Sequence, residues 1–443
     1  MKILFALNSF FPDSHAGTEV YVLGLARYLR EQGHTVNIIA PSSKPRSYEY
    51  EGIHVYQYKV LTYSSSEELN GLRPPCVLDE FKSILGLLKP DIVHFHSYNR
   101  AMNSWHIKLA KEKGINVVFT THVAGLFCIR SDLCYKGNFV CDGKIRLHRC
   151  MACYIHQRVG CPVLSELLAV GVNISNLLLP WLKNFKPFLY SVRKKKKDLA
   201  LIYRYTDKII SISKWMVETY RINGIENVIP IVYEIVKGGF QSSETIADDV
   251  DIVPPSLNQK KDKIKLIFVG RLYPIKNIEL LLEALSLEDY SRFNLTMVVI
   301  PDKDSKSYYD KIRTKYNSMG FKDWHENLSA EEVKQLISSS DMLCLPSRSE
   351  VAPLVIHEAF NCGVPVLGSD IPPISELVTH GKNGLLFRSN SLDSLIRTLN
   401  VIMADSSLIS ILRNNVYQMS DINLVYKRIE EVYKEMVIDD KTI

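Results

Sequence analysis

Apolar stretches of strand length alternate with longer stretches of helical periodicity along most of this chain. Residues 2–7 are mostly apolar, and residues 19–34 carry apolar side chains at helical spacing. Strand-length runs recur at residues 91–97 and 115–122, each after a helical segment. Strands that alternate with helices form parallel sheets with helices on their faces. The pattern therefore predicts an α/β fold built from doubly wound sheets.

The alternation is interrupted once and then resumes at IKLIFVGRL. The interrupting segment is rich in Ser, Asp, Pro and Gly, which is typical of a connector. A chain of 443 residues is also too long for one ordinary core. We predict a first α/β domain over 1–238, a linker over 239–263, a second α/β domain over 264–425 and a final helix over 426–443 that crosses back to the first domain.

Composition is that of a globular protein, with 46% hydrophobic and 23% charged residues. The apolar run in MKILFALNSFFPDS is too short for the core of a signal peptide and is better explained as a first buried strand. We therefore expect a cytoplasmic protein whose thiols are reduced.

Two glutamates stand in the apolar stretch SRSEVAPLVIHEAFNCGVPVLGSD. Glu350 falls in a predicted strand-to-helix loop, and Glu358 lies about two turns along the helix. Ligands of open α/β sheets bind at the carboxyl ends of the strands, and the free N–H groups of Leu354 and Val355 would attract an anion. A ligand with hydroxyls and phosphates would fit. A capping carboxylate and a surface glutamate are the alternative that the pattern leaves open.

Three further features point to the same edge of the sheets. Arg271 and Lys276 follow a strand in FVGRLYPIKN and offer cations to phosphate. Gly17 precedes a helix, where backbone can approach a ligand closely. His122 ends the strand VVFTTH. Taken singly, each could instead be a surface cation, a turn glycine or a structural histidine.

The order and spacing of these stretches resemble glycosyltransferase family 4. The resemblance rests on AGTEVYVLGLARYLREQGHTV, PDIVHFHS, GRLYPIKN and the run from Ser347 to Phe387. It implies the GT-B fold, two Rossmann-like domains facing across a cleft, with the first domain on the acceptor side and the second binding the nucleotide sugar. It also implies sugar transfer from a nucleotide diphosphate sugar with retention of anomeric configuration and no catalytic metal.

The resemblance further implies a role for each candidate residue. The catalytic set would be Glu350, His122, Arg271 and Lys276, with no enzyme nucleophile. The implied donor contacts are Arg271, Lys276 and Gly17 at the diphosphate, Glu358 at the ribose, Glu350 near the sugar's 3-hydroxyl, His122 near its 6-position, and the N–H groups of Leu354 and Val355 at phosphate or sugar.

Six of the nine cysteines lie between Cys128 and Cys161. Cys150 and Cys153 form a C-x-x-C pair, Cys128 and Cys141 lie upstream, and Cys134 is a competing ligand. Four thiolates in a reducing compartment favour a structural zinc site over free buried cysteines. A subset of the family carries a similar insertion, which here would span residues 123–200.

A second unusual feature is the basic run from Lys183 to Lys197, which holds seven cations and no acidic residue. Without it the net charge of +6 would become −1. Aromatic residues interleave with the cations, so residues 181–197 could contact an anionic membrane surface. A core helix followed by a solvated loop is the alternative, and nucleic-acid binding is not expected.

The sequence and its resemblance to family 4 thus predict a retaining glycosyltransferase that is cytoplasmic and peripheral on the inner face of the plasma membrane. The donor would be a nucleotide sugar, with UDP favoured. The acceptor would be a glycan or polyprenyl-diphosphate-linked glycan of bacterial surface polysaccharide synthesis. Two alternatives stay open: a nucleotide-sugar epimerase on the same fold, and a noncatalytic scaffold of a glycan-assembly complex.

Overall fold

The computed structural model describes residues 1–14, 17–59, 74–75, 78–99, 101–178, 186–232, 235–237, 263–287, 290–301, 305–405 and 407–439. The predicted linker over 239–263 lies almost wholly outside the described residues. Helices are α1 Gly17–Glu31, α2 Leu78–Leu88, α3 Ser104–Glu112, α4 Leu147–Val159, α5 Pro162–Leu178, α6 Lys186–Tyr205, α7 Lys214–Ile222, α8 Ile278–Leu287, α9 Lys306–Ser318, α10 Ala330–Ser338, α11 Leu354–Asn361, α12 Pro372–Ser375, α13 Leu392–Ala404, α14 Leu408–Asn414 and α15 Ile422–Asp439.

The strands are short and mostly buried. They are β1 Lys2–Ala6, β2 Thr35–Ser42, β3 Ser47–Tyr50, β4 Ile53–Lys59, β5 Ile92–Phe95, β6 Asn116–Thr121, β7 Cys134–Tyr135, β8 Phe139–Val140, β9 Lys208–Ser211, β10 Val228–Pro230, β11 Ile235–Lys237, β12 Ile264–Arg271, β13 Phe293–Ile300, β14 Trp324–Glu326, β15 Met342–Leu345, β16 Val366–Asp370, β17 Gly384–Arg388 and β18 Gln418–Met419.

The chain forms two compact units. The first comprises Met1–Gly137, Cys141–Tyr233 and Asp421–Ile443, and the second comprises Glu234–Ser420 with Asn138–Val140. Each unit is an α/β structure around its own large sheet. The predicted α/β class is confirmed.

The sheet of the first unit has the strand order β10-β9-β6-β5-β1-β2-β4-β3. All neighbouring strands run parallel except β3 and β4. The carboxyl ends of β1, β5 and β6 therefore meet at one edge, which brings Gly17, His96 and His122 to the same side of the sheet.

The second unit's sheet has the order β14-β13-β12-β15-β16-β17, and every pair is parallel. Strands β12 and β15 are neighbours, so the loop after Arg271 and the loop that carries Glu350 lie side by side. Helix α10 begins with a capping box, in which Ser329 and Glu332 satisfy each other's backbone N–H groups.

The final helix, α15, packs in the core of the first unit. Its Tyr426, Ile429 and Tyr433 are buried against α1 and the first sheet. Glu430 forms an ion pair with His34 at 2.9 Å. The last described helix of the chain therefore stabilises the first unit.

Residues 123–205 insert a small substructure between β6 and β9. Helices α4 and α5 form a hairpin through Gly160, which has the left-handed conformation that glycine adopts readily. Helix α6 packs against α4 and α3, and β7 pairs with β8.

Among the described residues, no single helix combines the length and apolar character needed to cross a membrane. One bent pair, Leu392–Ala404 with Leu408–Asn414, meets that test by length and composition when taken together.

Candidate active site

At the carboxyl edge of the second sheet, Lys276 and Glu350 form an ion pair. The Lys276 Nζ lies 2.5 Å from Glu350 Oε1, and both side chains are mostly buried. The buried Ser347 hydroxyl donates to the same oxygen at 2.7 Å. Neither contact uses Glu350 Oε2, so the carboxylate is held in place by one oxygen while the other remains outside both contacts.

A second connection between the two loops runs through Asn277, a residue that the sequence argument did not single out. Asn277 is 1% exposed and left-handed, with φ of 56°. Its Oδ1 accepts a bond from Arg348 Nη2 at 2.7 Å, and the Arg348 N–H donates to Ile275 O at 2.8 Å. These bonds tie the Lys276 loop to the Glu350 loop and fix their spacing.

Helix α11 starts directly after this loop, and no side chain caps its N-terminus at Pro353. Leu354 and Val355 supply its first N–H groups, which carry the positive end of the helix dipole. Glu358 lies one turn along the helix rather than two, and desolvation raises the pKa of its carboxyl group although the side chain is solvent-accessible. The edge thus offers N–H donors, cations and carboxylates along one loop and helix.

Arg271 is the last residue of β12, where that strand ends at the same edge. The preceding Gly270 has φ of 153°, a backbone conformation that L side chains rarely adopt. Strand β12 therefore ends at an unusual backbone position beside the Lys276 loop. The structure brings Lys276 and Glu350 into contact and places Arg271, Leu354, Val355 and Glu358 at the same sheet edge.

In the first unit, Gly17 is the first residue of α1. A Cβ built on Gly17 would meet no atom of the described residues within 4 Å, so their packing does not demand glycine here. In the same first turn of α1, Glu19 is buried, and its Oε1 accepts a hydrogen bond from the Ser9 hydroxyl.

Three histidines stack behind this edge of the first sheet. The ring centroids of His94 and His96 are 3.8 Å apart, and His96 Nδ1 lies 3.0 Å from His122 Nε2. His94 bonds Tyr433 of α15 at 2.5 Å and Thr120 at 2.7 Å. Burial lowers the pKa of His122 to about 3 and holds that of His96 well below its ordinary value. All three rings are therefore neutral near pH 7.

Because both rings are neutral, one proton lies between the facing nitrogens His96 Nδ1 and His122 Nε2 and belongs to one of the two rings. His96 Nε2 is buried and has no hydrogen-bond partner among the described residues. A buried N–H without a partner is rarer than a buried acceptor without one. The geometry therefore favours His96 donating from Nδ1 to His122 Nε2, which leaves the proton of His122 on Nδ1. In that tautomer His122 offers a hydrogen-bond donor rather than a base.

Five cysteines of the insertion line one small cavity. Backbone N–H groups face four sulfurs: Lys136 N lies 3.1 Å from Cys153 Sγ, Arg146 N lies 3.4 Å from Cys150 Sγ, and others approach Cys128 and Cys141. Burial raises the pKa of all four thiols, to about 11 for Cys141. No three His, Cys, Asp or Glu side chains of the described part of the chain are arranged to hold a metal ion.

The basic run is less exposed than the sequence indicated. The ammonium of Lys195 bonds Gly125 O and lies over the Tyr98 ring, and desolvation lowers its pKa to about 8. Lys194 pairs with the buried Asp198 at 4.0 Å. These two cations face the protein, whereas Arg193, Lys196 and Lys197 are exposed. The side chains of residues 181–191, including the interleaved aromatics, lie outside the described residues.

The comparison with known proteins agrees with this arrangement. The family description "Glycosyltransferase Family 4" matches residues 15–139, and "Glycosyl transferases group 1" matches residues 249–419. The chain is a glycosyltransferase of family 4 with the GT-B fold, which confirms the resemblance and the predicted enzyme class.

Relatives and solved structures extend over the full chain. The N-acetyl-alpha-D-glucosaminyl L-malate synthase of Bacillus anthracis is 21% identical, with 100% of this chain and 99% of the relative covered. The UDP-Gal:alpha-D-GlcNAc-diphosphoundecaprenol alpha-1,3-galactosyltransferase of Escherichia coli is 24% identical over 55% of this chain and 66% of its own length. The crystal structure of Anabaena Alr3699/HepE in complex with UDP and glucose aligns at a TM-score of 0.58 and 14% identity, covering 98% of this chain and 100% of that one.

Proposed function

We propose that this enzyme transfers a sugar, with retention, from a nucleotide diphosphate sugar to a glycan or lipid-linked glycan of bacterial surface polysaccharide synthesis. The observation that carries the proposal is the Lys276–Glu350 pair beside the uncapped N-terminus of α11. Cations and free N–H groups suit a diphosphate, and a carboxylate suits sugar hydroxyls. UDP is the expected nucleotide, since the similar Anabaena protein was crystallised with UDP and glucose.

Each second-unit residue has a role in this proposal. Arg271 and Lys276 would bind the diphosphate together with the N–H groups of Leu354 and Val355. Negative charge grows on the diphosphate as the sugar leaves, and groups already in place stabilise it without reorganising. Glu350 would accept a hydroxyl of the sugar near position 3, and Glu358 would accept the ribose hydroxyls.

The first unit would contribute neutral groups. His122, with its proton on Nδ1, would donate to an oxygen near the sugar's 6-position. Gly17 would lie against the diphosphate, and no atom of the described residues lies within 4 Å of its Cβ position, which leaves room there for a ligand. We assign no enzyme nucleophile.

A transfer assay tests the proposal. Purified enzyme, UDP-sugars and an undecaprenyl-diphosphate-linked monosaccharide would be followed by proton NMR, where the anomeric coupling of the product reports retention or inversion. The E. coli relative named for such an acceptor motivates that choice. A product with retained configuration supports the proposal, and an inverted product contradicts it.

The same assay separates the two alternatives. An epimerase would convert the donor sugar with no acceptor present. A scaffold would produce neither transfer nor conversion, and its function would survive Glu350→Ala.

We also propose that Cys128, Cys141, Cys150 and Cys153 bind a structural zinc ion. Support comes from the shared cavity and the N–H groups that face each sulfur, since such donors favour thiolates. The residues fit zinc by donor type, and their side chains would have to converge on the ion. Elemental analysis of purified protein should find one zinc per chain, lost in Cys150→Ser/Cys153→Ser and kept in the exposed Cys161→Ser control. Zinc-free, folded wild-type protein would overturn this assignment.

Finally, we propose a cytoplasmic enzyme that is peripheral on the inner face of the plasma membrane. A lipid-linked acceptor would require that position. Fractionation of cells at low and high salt tests it, because a peripheral protein moves from the membrane to the soluble fraction as salt rises.

A further inference from the structure

Helix α5 has the reverse of the usual burial pattern for a helix on a globular protein. Its small or polar residues Ser165 and Ala169 are fully buried. Of the side chains that the structure describes in this helix, residues 162–171, the large apolar ones face outward, with exposed fractions from 37% to 69%. These outward residues are Val163, Leu164, Leu167, Leu168 and Val170, which we call the α5 apolar face.

The contacts on the inner side of α5 explain which way it is turned. Glu166 forms an ion pair with Lys136 at 2.7 Å and accepts a bond from the Tyr135 hydroxyl at 2.7 Å. The Lys136 ammonium also donates to Pro162 O at 3.2 Å. These polar contacts hold the helix with its leucines outward. A surface helix with a contiguous apolar face needs a partner that is itself apolar.

The charge of the surrounding segment identifies that partner. Residues 141–205 hold twelve Lys or Arg and three Asp or Glu, a surplus of nine positive charges in a chain whose net charge is +6. Exposed cations include Arg158 at the turn into α5 and, on the neighbouring α6, Arg193, Lys196 and Lys197. An apolar helix face in a strongly basic segment matches an anionic lipid bilayer, whose headgroups attract Lys and Arg and whose acyl boundary accepts leucines.

A second copy of the chain is a poorer match. Two such segments brought together would place like charges against each other, which opposes association.

We propose that α5 lies along the surface of an anionic bilayer, with its apolar face in the headgroup and acyl boundary and the cations of α4 and α6 at the phosphates. This inference rests on the proposed function, because a membrane-bound acceptor gives the contact its purpose. It places the contact at residues 163–170 and at the exposed Arg193, Lys196 and Lys197 rather than throughout 181–197.

Vesicle sedimentation of the full-length protein tests the proposal. Vesicles of phosphatidylcholine alone are compared with an equal mixture of phosphatidylcholine and phosphatidylglycerol, at low and at physiological salt. We expect binding to the mixed vesicles, little binding to neutral ones, and weaker binding as salt rises.

Two sets of variants separate the contributions of the apolar face and the cations. Leu164→Ser/Leu167→Ser should weaken partitioning by at least about tenfold, because two leucine side chains no longer enter the bilayer. Arg193→Gln/Lys196→Gln/Lys197→Gln should weaken it by on the order of a hundredfold at low salt. The matched control is Leu87→Ser/Leu287→Ser, which replaces two leucines that are 71% and 63% exposed on other helices. Unchanged unfolding temperatures confirm that each variant is folded.

Three results would overturn the proposal: no binding to anionic vesicles, binding that ignores headgroup charge, or wild-type binding by Leu164→Ser/Leu167→Ser. Concentration-dependent dimerisation that this double variant abolishes would assign the face to a second copy instead. Transfer to a water-soluble acceptor is measured in parallel. If transfer persists while vesicle binding fails, the membrane inference falls and the proposed function stands.

Discussion

The two units share one architecture but present opposite chemistry at the carboxyl edges of their sheets. The second unit carries a buried ion pair, Lys276 with Glu350, beside a helix N-terminus. The first unit carries the neutral stack of His94, His96 and His122. Fixed charge suits a diphosphate that gains negative charge during reaction, whereas neutral donors suit sugar oxygens. The fold alone therefore does not assign function, and the side chains at each edge do.

The largest expected effect is in the charged edge. Lys276→Ala removes a cation from the proposed diphosphate site and leaves Glu350 without its ion-pair partner. We expect kcat/KM to fall by about a thousandfold, the upper range for loss of one preplaced electrostatic group. Steady-state transfer kinetics measure this, with exposed Lys315→Ala as the control. Wild-type turnover in Lys276→Ala would remove the charged edge from the mechanism.

The buried neutral histidines of the first unit should make the stability of the protein fall in acid. The pKa of His122 is about 3 in the folded protein and 6.5 as the ordinary value, so the unfolded chain binds the proton first. The contribution of His122 to stability is therefore fully present above its pKa in the unfolded chain. It is lost as the pH falls toward the pKa of His122 in the folded protein.

Because the unfolded chain protonates His122 first, the free energy of unfolding should fall by about 2 kcal/mol from this residue alone as the pH drops from about 6.5 to about 5. His94 and His96, whose pKa values are also lowered by burial, add to the slope. Urea unfolding across this pH range measures it. His122→Gln should flatten the dependence, whereas replacing the exposed His54 should not. If the unfolding free energy of His122→Gln depended on pH as steeply as that of the wild type, His122 would not be a buried, neutral ring.

A smaller effect is expected from removing the Ser347 hydroxyl, which holds the Glu350 carboxylate in position. Ser347→Ala removes the hydroxyl that donates to Oε1 at 2.7 Å. Loss of a hydrogen bond to a charged group should raise KM for the donor sugar by about tenfold. Donor titration measures it, and Ser338→Ala on the surface of α10 serves as the control. An unchanged KM would show that Lys276 alone positions the carboxylate.

The smallest effect should come from His96, which positions His122 without touching the donor. His96→Phe removes the bond to His122 Nε2, and roughly a fivefold loss of kcat/KM is expected. His96→Asn can still donate from a similar position and should recover most of it. Nitrogen-15 NMR should show His122 protonated on Nδ1 in the wild type and in His96→Asn. A His122 proton on Nε2 in the wild type would reverse the donor assignment.

The sequence predicts best what depends on period and order. The alternation of strands and helices follows from local patterns, and the rule that ligands bind at the carboxyl ends of parallel strands places the Lys276 and Glu350 loops at one edge. The His96–His122 contact was not predicted, because contacts between individual side chains depend on tertiary packing.

Which face of a helix is exposed could also not be predicted from the sequence. Spacing shows that α5 has an apolar face, but only the contacts of Glu166 turn that face outward. Likewise, a run of lysines gives no sign that Lys195 lies over Tyr98 while Lys196 is exposed. Tertiary partners decide both cases.

The central claim is that the second unit's cations hold the donor's diphosphate. Thermal unfolding with UDP, GDP or ADP tests it most directly, since a nucleotide at a hundredfold excess over its Kd stabilises the folded state by about 2.7 kcal/mol. We predict a shift with UDP in the wild type and in His122→Gln, and none in Arg271→Ala. A shift that survives in Arg271→Ala but is lost in His122→Gln, or no shift with any nucleotide, would contradict the account.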